Sequence, residues 1–208
     1  MAINSNVSEF LSKIKQGVKP NMFLVDIVFP SGGGLSKSGN DADLINILCK
    51  SAALPASNLG VIEVPFRGRT VKISGDRTFD TWTATFINDK DMKVRSFMEE
   101  WMGKMNTHVA NTAPQFTPET AGDGYMAHLF VKQLEKDGNL NGSMIREYKL
   151  WHAFPTNISQ IDLAYDSNDQ ISEFTVEFQL SYWTAEKGGA GAGPNVPSAG
   201  HNASSATT

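Results

Sequence analysis

From Phe174 to Tyr182 the chain alternates strictly: Phe174, Val176, Phe178, Leu180 and Tyr182 are apolar, while Thr175, Glu177, Gln179 and Ser181 are polar. Successive side chains on a strand point to opposite faces, so this spacing requires a sheet with one face in a core and the other in water. Thr81–Ile87 repeats the pattern in Thr-Trp-Thr-Ala-Thr-Phe-Ile. Further strands are predicted at Met22–Phe29, Leu44–Lys50, Tyr125–Leu134, Met144–Phe154, Gln160–Tyr165 and Ile171–Trp183, with a β-rich stretch at Val61–Ser74. Gly75-Asp76-Arg77, Asp137-Gly138-Asn139, Pro155-Thr156-Asn157 and Asp166–Asp169 read as turns, and the Gly/Ser-rich 31–43 stretch as a hairpin loop.

Two segments follow the helical period instead. Val94, Phe97, Met98, Trp101, Met102 and Met105 share one face of a long helix that Asn88 or Asp89 can cap. Val7, Phe10, Leu11 and Ile14 form a shorter amphipathic helix at the N-terminus, stopped by Gly17 and Pro20. Asn106–Gly124 has Pro and Gly without periodicity and reads as a long surface loop. From 184 to 208 the chain is Gly, Ala, Ser, Pro and Asn with almost no large apolar side chain, so it cannot offset its ordering entropy by burial. The expected organisation is one domain over 1–183 and a Gly/Ala/Ser-rich tail over 184–208. The expected fold is mainly β (α+β): an antiparallel β-sandwich or partial barrel with one long flanking helix and a short N-terminal one.

Composition narrows the function classes. The formal net charge is −4, with no run of like charges, which speaks against tight nucleic-acid binding. No apolar run reaches the length of a membrane span, and the N-terminus has neither a basic nor an apolar region of the export type. The single cysteine, Cys49, follows an apolar stretch and reads as a small buried hydrophobe.

Chemical motifs were weighed and set aside. His108, His128, His152 and His201 are far apart in sequence and lack metal-ligand spacing. Asp166, Asn168, Gln170 and Glu177 echo a calcium loop, but Ile171 stands where glycine is needed. Gly33-Gly-Leu-Ser-Lys37-Ser38 lacks the glycine before lysine that a phosphate loop uses, and Ser74 with Asp76 and Asp80 has no neighbouring histidine. Accordingly no catalytic residue, metal or cofactor is assigned.

Lys50-Ser-Ala-Ala-Leu-Pro55-Ala, Arg69–Trp82 with its Gly-Asp-Arg-Thr-Phe-Asp, and Ile87-Asn-Asp resemble the tail tube proteins of contractile-tailed phages. Leu150-Trp151-His-Ala-Phe-Pro155-Thr-Asn157-Ile, Leu163–Asn168 and Tyr182-Trp183 resemble the later half of the same family, in the same order. The resemblance covers roughly 19–183. It implies a structural subunit, not an enzyme, forming homohexameric rings that stack into a tube inside a contractile sheath. Its partners would be copies of itself, the sheath protein, and baseplate and tail terminator proteins. Genomic DNA would pass through the lumen without specific binding, and the protein would reside in the virion after assembly in the host bacterial cytoplasm. Related readings are a type VI secretion tube or a baseplate tube initiator; from another class, a monomeric β-sandwich binding module.

Within that reading, the polar residues Thr175, Glu177, Gln179 and Ser181 are candidates to face the lumen. Phe10, Ile14, Lys37, Asp41, Asp76 and Arg77 are candidates for contacts between rings, placed on the N-terminal helix, the 31–43 loop and the Gly75–Arg77 turn.

Overall fold

A computed structural model describes residues 7–14, 17–29, 39–112, 124–135, 144–166 and 168–187. In chain order the elements are α1 (Val7–Ile14), β1 (Phe23–Val28), α2 (Gly39–Leu48), β2 (Cys49–Ala52), β3 (Ser57–Phe66), β4 (Arg69–Phe79), β5 (Trp82–Ile87), α3 (Lys93–Met105), β6 (Ala127–Leu134), β7 (Met144–Ile158), β8 (Glu173–Gln179) and β9 (Tyr182–Lys187).

The alternation that defines β8 buries Phe174, Val176 and Phe178. Antiparallel pairing with β5 sets these against Phe86, Ala84 and Trp82, so large and small side chains share one inner face. The long strand β7 joins two half-sheets. Its N-terminal part pairs with β6 and β9, and β6 carries β1. Its C-terminal end pairs with β8, which leads through β5 to β2. Val25, Ile27, Leu129, Val131 and Leu150 from the first half meet Trp82, Phe86, Phe174 and Phe178 from the second in one hydrophobic cluster.

Helix α3 completes that core with the predicted stripe: Val94, Phe97, Met98 and Trp101 are buried. Trp101 keeps its indole N–H satisfied by donating to Tyr125 O at 2.9 Å, as a buried Trp must. Asp89 accepts from the Lys93 amide at 2.9 Å, satisfying one free donor of the first turn.

Four expectations are corrected. Leu44–Lys50 is not a strand: α2 runs to Leu48, and only Cys49 and Lys50 lie in β2. Apolar residues at 44, 45 and 48 fit a helical face as well as a strand, an ambiguity short runs carry. Pro155-Thr156-Asn157 is not a turn, because β7 continues to Ile158 with a bulge there that accommodates the missing proline N–H; residues 160–165 accordingly form no strand. The expected strand 171–183 is two strands in different half-sheets, broken at Leu180–Ser181, with Ser181 N–H donating to Trp151 O at 3.1 Å. Beyond the break the phase changes: Tyr182 is exposed and stacks on Trp151 at 5.7 Å, while Trp183 turns toward the core. The strand β9 then runs to Lys187, so 184–187 belong to the sheet and not to the tail. Gly75-Asp76-Arg77, fourth, is not a turn but lies inside β4.

Candidate functional site

The strands β3 and β4, of 10 and 11 residues, pair only with each other. Reversal occurs at Arg67-Gly68, where both residues have positive φ, as a two-residue hairpin turn requires. Gly75-Asp76-Arg77 lies inside β4 and is not a turn. The register slips between Leu59 and Val61, so Gly60 sits against Gly75 and Asp76 in a bulge. A Cβ on Gly60 would come within 3.2 Å of Asp76 O, and one on Gly75 within 3.2 Å of the Gly60 backbone. Both glycines are there to let the strands approach.

This arm is attached at its base, where Phe79 meets Trp183 edge-on at 6.4 Å and Asn58 donates to the Asp80 carboxylate. Beyond the base it is exposed throughout. Register places Ile62 opposite Ile73, Val64 opposite Val71 and Phe66 opposite Arg69, so these six share one face. Ile62 is 54% exposed and Phe66 63%. Isolated two-stranded ribbons are marginal in water, and a contiguous exposed apolar face of this kind marks a surface for another protein.

A second surface is the outward face of β5 and β8. Thr83, Thr85, Thr175, Glu177 and Gln179 alternate with buried residues there. Thr85 and Thr175 are hydrogen-bonded through their hydroxyls at 3.1 Å, and Thr175 N–H donates to Ser159 Oγ at 2.9 Å. Lys50 pairs with Glu173 at its end. The face is small, polar and partly satisfied within itself. Three of the four residues nominated for such a face lie on it. Ser181 sits in the bend after β8 and is exposed, off that strand.

The residues nominated for contacts between rings are scattered. Phe10 and Ile14 project from α1, 62% and 46% exposed, on a helix that buries none of its residues. Asp76 and Arg77 are exposed on the arm beside the bulge. Asp41 lies in α2, its side chain outside the described residues, and Lys37 falls outside them altogether. The apolar arm face itself was not nominated from sequence. Apolar strand residues there read equally as core, and the available signal was Arg67-Gly68 as a turn between two apolar runs.

Two titratable groups are perturbed by packing. Burial pushes the Cys49 thiol up to about 12, partly offset by hydrogen bonding from the Ser51 backbone. The fold brings His128 and His152, far apart in sequence, to 6.0 Å between rings, beside Trp151. Desolvation, then Lys149 and His152, hold the His128 imidazole below its ordinary value. Among the described residues no three His, Cys, Asp or Glu side chains gather as a metal set.

An apolar arm held clear of a finished core defines a structural subunit with a face left for protein to cover. A family model described as phage tail tube protein matches residues 18–186. Tail tube protein gp19 of Enterobacteria phage T4 is 30% identical over 165 residues, covering 79% of this chain and 90% of that one. The tail tube protein of Serratia phage KSP90 is 27% identical over 184 residues, covering 87% and 96%. In fold, the chain is similar to one from the sheath/tube terminator of PVC, an extracellular contractile injection system, in its extended state. The TM-score is 0.55 at 13% identity, over 81% of this chain and 96% of that one. The chain belongs to the phage tail tube protein family and is a structural subunit of the virion tail.

Proposed function

We propose that copies of this chain close into homohexameric rings that stack as the hollow inner tube of a contractile tail, through which genomic DNA leaves the particle. The observation that carries this reading is the arm: among the described residues its apolar face has no cover, and a second copy supplies one. Among the described residues β1, β2 and β9 each pair on one side only, and such edges can join neighbouring subunits, which removes open edges by closing a larger barrel. The polar face of β5 and β8, with Thr175, Glu177 and Gln179, then lines the lumen. Short hydroxyl and amide side chains and a net charge of −4 per copy disfavour adhesion of a polyanion.

The partners beyond the chain itself are the sheath protein outside the tube and baseplate and terminator proteins at its ends. A PVC relative in fold described as a sheath/tube terminator supports that set. The function is mechanical and not enzymatic, with assembly in the host bacterial cytoplasm. Light scattering at rising concentration, followed by negative-stain microscopy, tests the proposal. Rings or tubes are expected; a species that stays monomeric at every concentration overturns it.

A further inference from the structure

The arm and the segment between β7 and β8 lie beyond opposite ends of β5. The arm's last residue, Phe79, precedes β5 at Trp82, while Asn88, just past the other end of β5, binds Ser172: its N–H donates to Ser172 O at 3.0 Å and its side-chain amide to Ser172 Oγ at 2.7 Å. The six residues of β5 separate them by about 20 Å. The 159–172 segment is unusual for a connection. Leu163 and Ile171 are 90% and 71% exposed and Tyr165 is fully so, around an open hollow of about 570 Å³ bordered by Asp162 and Ser172. A polar solvated loop has no use for three such side chains.

Its charge is also one-sided. Residues 159–172 contain Asp162, Asp166 and Asp169 and no lysine or arginine, and Glu173, next in the chain, is already paired with Lys50. At the tip of the arm stand Arg67 and Arg69, while Lys72 is paired across the strands with Glu63 at 3.4 Å. Arg69 shares the apolar face, and Arg67 lies over the Phe66 ring, 5.4 Å from its centroid. Apolar side chains edged by cations at one end thus answer apolar side chains edged by carboxylates at the other. Complementary patches on opposite ends make a head-to-tail contact, which repeats without limit as long as the copies keep their direction.

We infer that the arm of one copy seats on the 159–172 segment of another, with Ile62, Val64 and Phe66 against Leu163, Tyr165 and Ile171, and Arg67 and Arg69 against Asp162 and Asp166. This inference rests on the tube reading and names the surface that receives the arm. It gives the stack a direction and makes its growth sensitive to salt, since exposed charges are screened within about 10 Å at 0.1 M.

Charge exchange in the full chain tests it. Arg67→Glu with Arg69→Glu, and separately Asp162→Lys with Asp166→Lys, each place like charges together and should cut the polymerised fraction at least about tenfold. All four changes in one chain restore the pairing and should bring polymerisation back toward wild type. As a readout independent of charge, Phe66→Cys with Tyr165→Cys in one chain should give an oxidation-dependent ladder of cross-linked multimers. If the arm variant fails to polymerise while the lysine variant polymerises normally, or if the combined variant is no better than either alone, or if no ladder forms in assembled material, another surface receives the arm and the inference is overturned while the tube reading stands. A wild-type chain that never polymerises overturns the tube reading, and this inference with it.

Discussion

Gly60 and Gly75 let the arm's strands approach closely, because a Cβ on either would press on backbone at 3.2 Å and force the strands apart by a few tenths of an ångström. Gly75→Val should therefore disturb the arm and its assembly while leaving the melting of the core body unchanged, a separation readable by comparing polymerisation with thermal denaturation. Cys49 is a residue whose chemistry is suppressed by its surroundings: with the thiol held near 12, the thiolate that reacts is scarce at neutral pH. Maleimide labelling of the folded protein should be far slower than in denaturant, and equal rates would contradict the packing described. For His128 the folded state resists the proton, so the unfolded chain takes it up first as pH falls. Its contribution to stability is present above about pH 6.5, the ordinary histidine value, and is lost as the pH drops below that. Lowering the pH from neutral through that value should depress the melting temperature of the wild type more than that of His128→Gln.

At the scale of elements, legibility followed burial. The β8 alternation and the α3 stripe were plain in the sequence because a full set of apolar residues at one period meets one continuous core. Trp101→Ala in that stripe should cost about 3–5 kcal/mol by cavity formation, measurable by denaturant unfolding. Where two structural demands overlap, the sequence misled. Gly75-Asp76-Arg77 carries the residues of a turn, yet those residues also serve a bulge, and only strand pairing tells the two apart. Pro155 likewise marks a bulge inside β7. The break at Leu180–Ser181 was hidden because Tyr182 continues the alternation while belonging to another half-sheet. Helix α1 leaves Phe10 and Ile14 exposed, burying none of its residues, and eight residues are too few to hold a helix in water unaided. If it orders against a neighbour, Phe10→Asp with Ile14→Asp should shorten tubes in micrographs without breaking rings; unchanged tube lengths would remove α1 from the contact.

For the whole molecule, two kinds of surface have different fates. The inner faces of both half-sheets and α3 are completed within the chain, giving a single core. Among the described residues nothing completes the apolar face of the arm. A tail tube subunit needs that division: a body rigid enough to set a lumen, and an exposed element that gives up its solvent only on meeting another copy. The outward face of β5 and β8 is polar and partly satisfied within itself, with the Thr85 and Thr175 hydroxyls bonded to each other and the Thr175 N–H donating to Ser159 Oγ. The apolar arm residues could be recognised as strand from sequence, but not as strand meant for another copy, because the chain alone does not say which apolar faces its own core has room for. The most direct test of the account is an electron cryomicroscopy reconstruction of tubes grown from the pure protein. Every Ile62, Val64 and Phe66 face should be buried against another copy, with Thr175, Glu177 and Gln179 facing the lumen; tubes whose arms stand free in solvent, held together by other surfaces, would contradict an arm built for another copy.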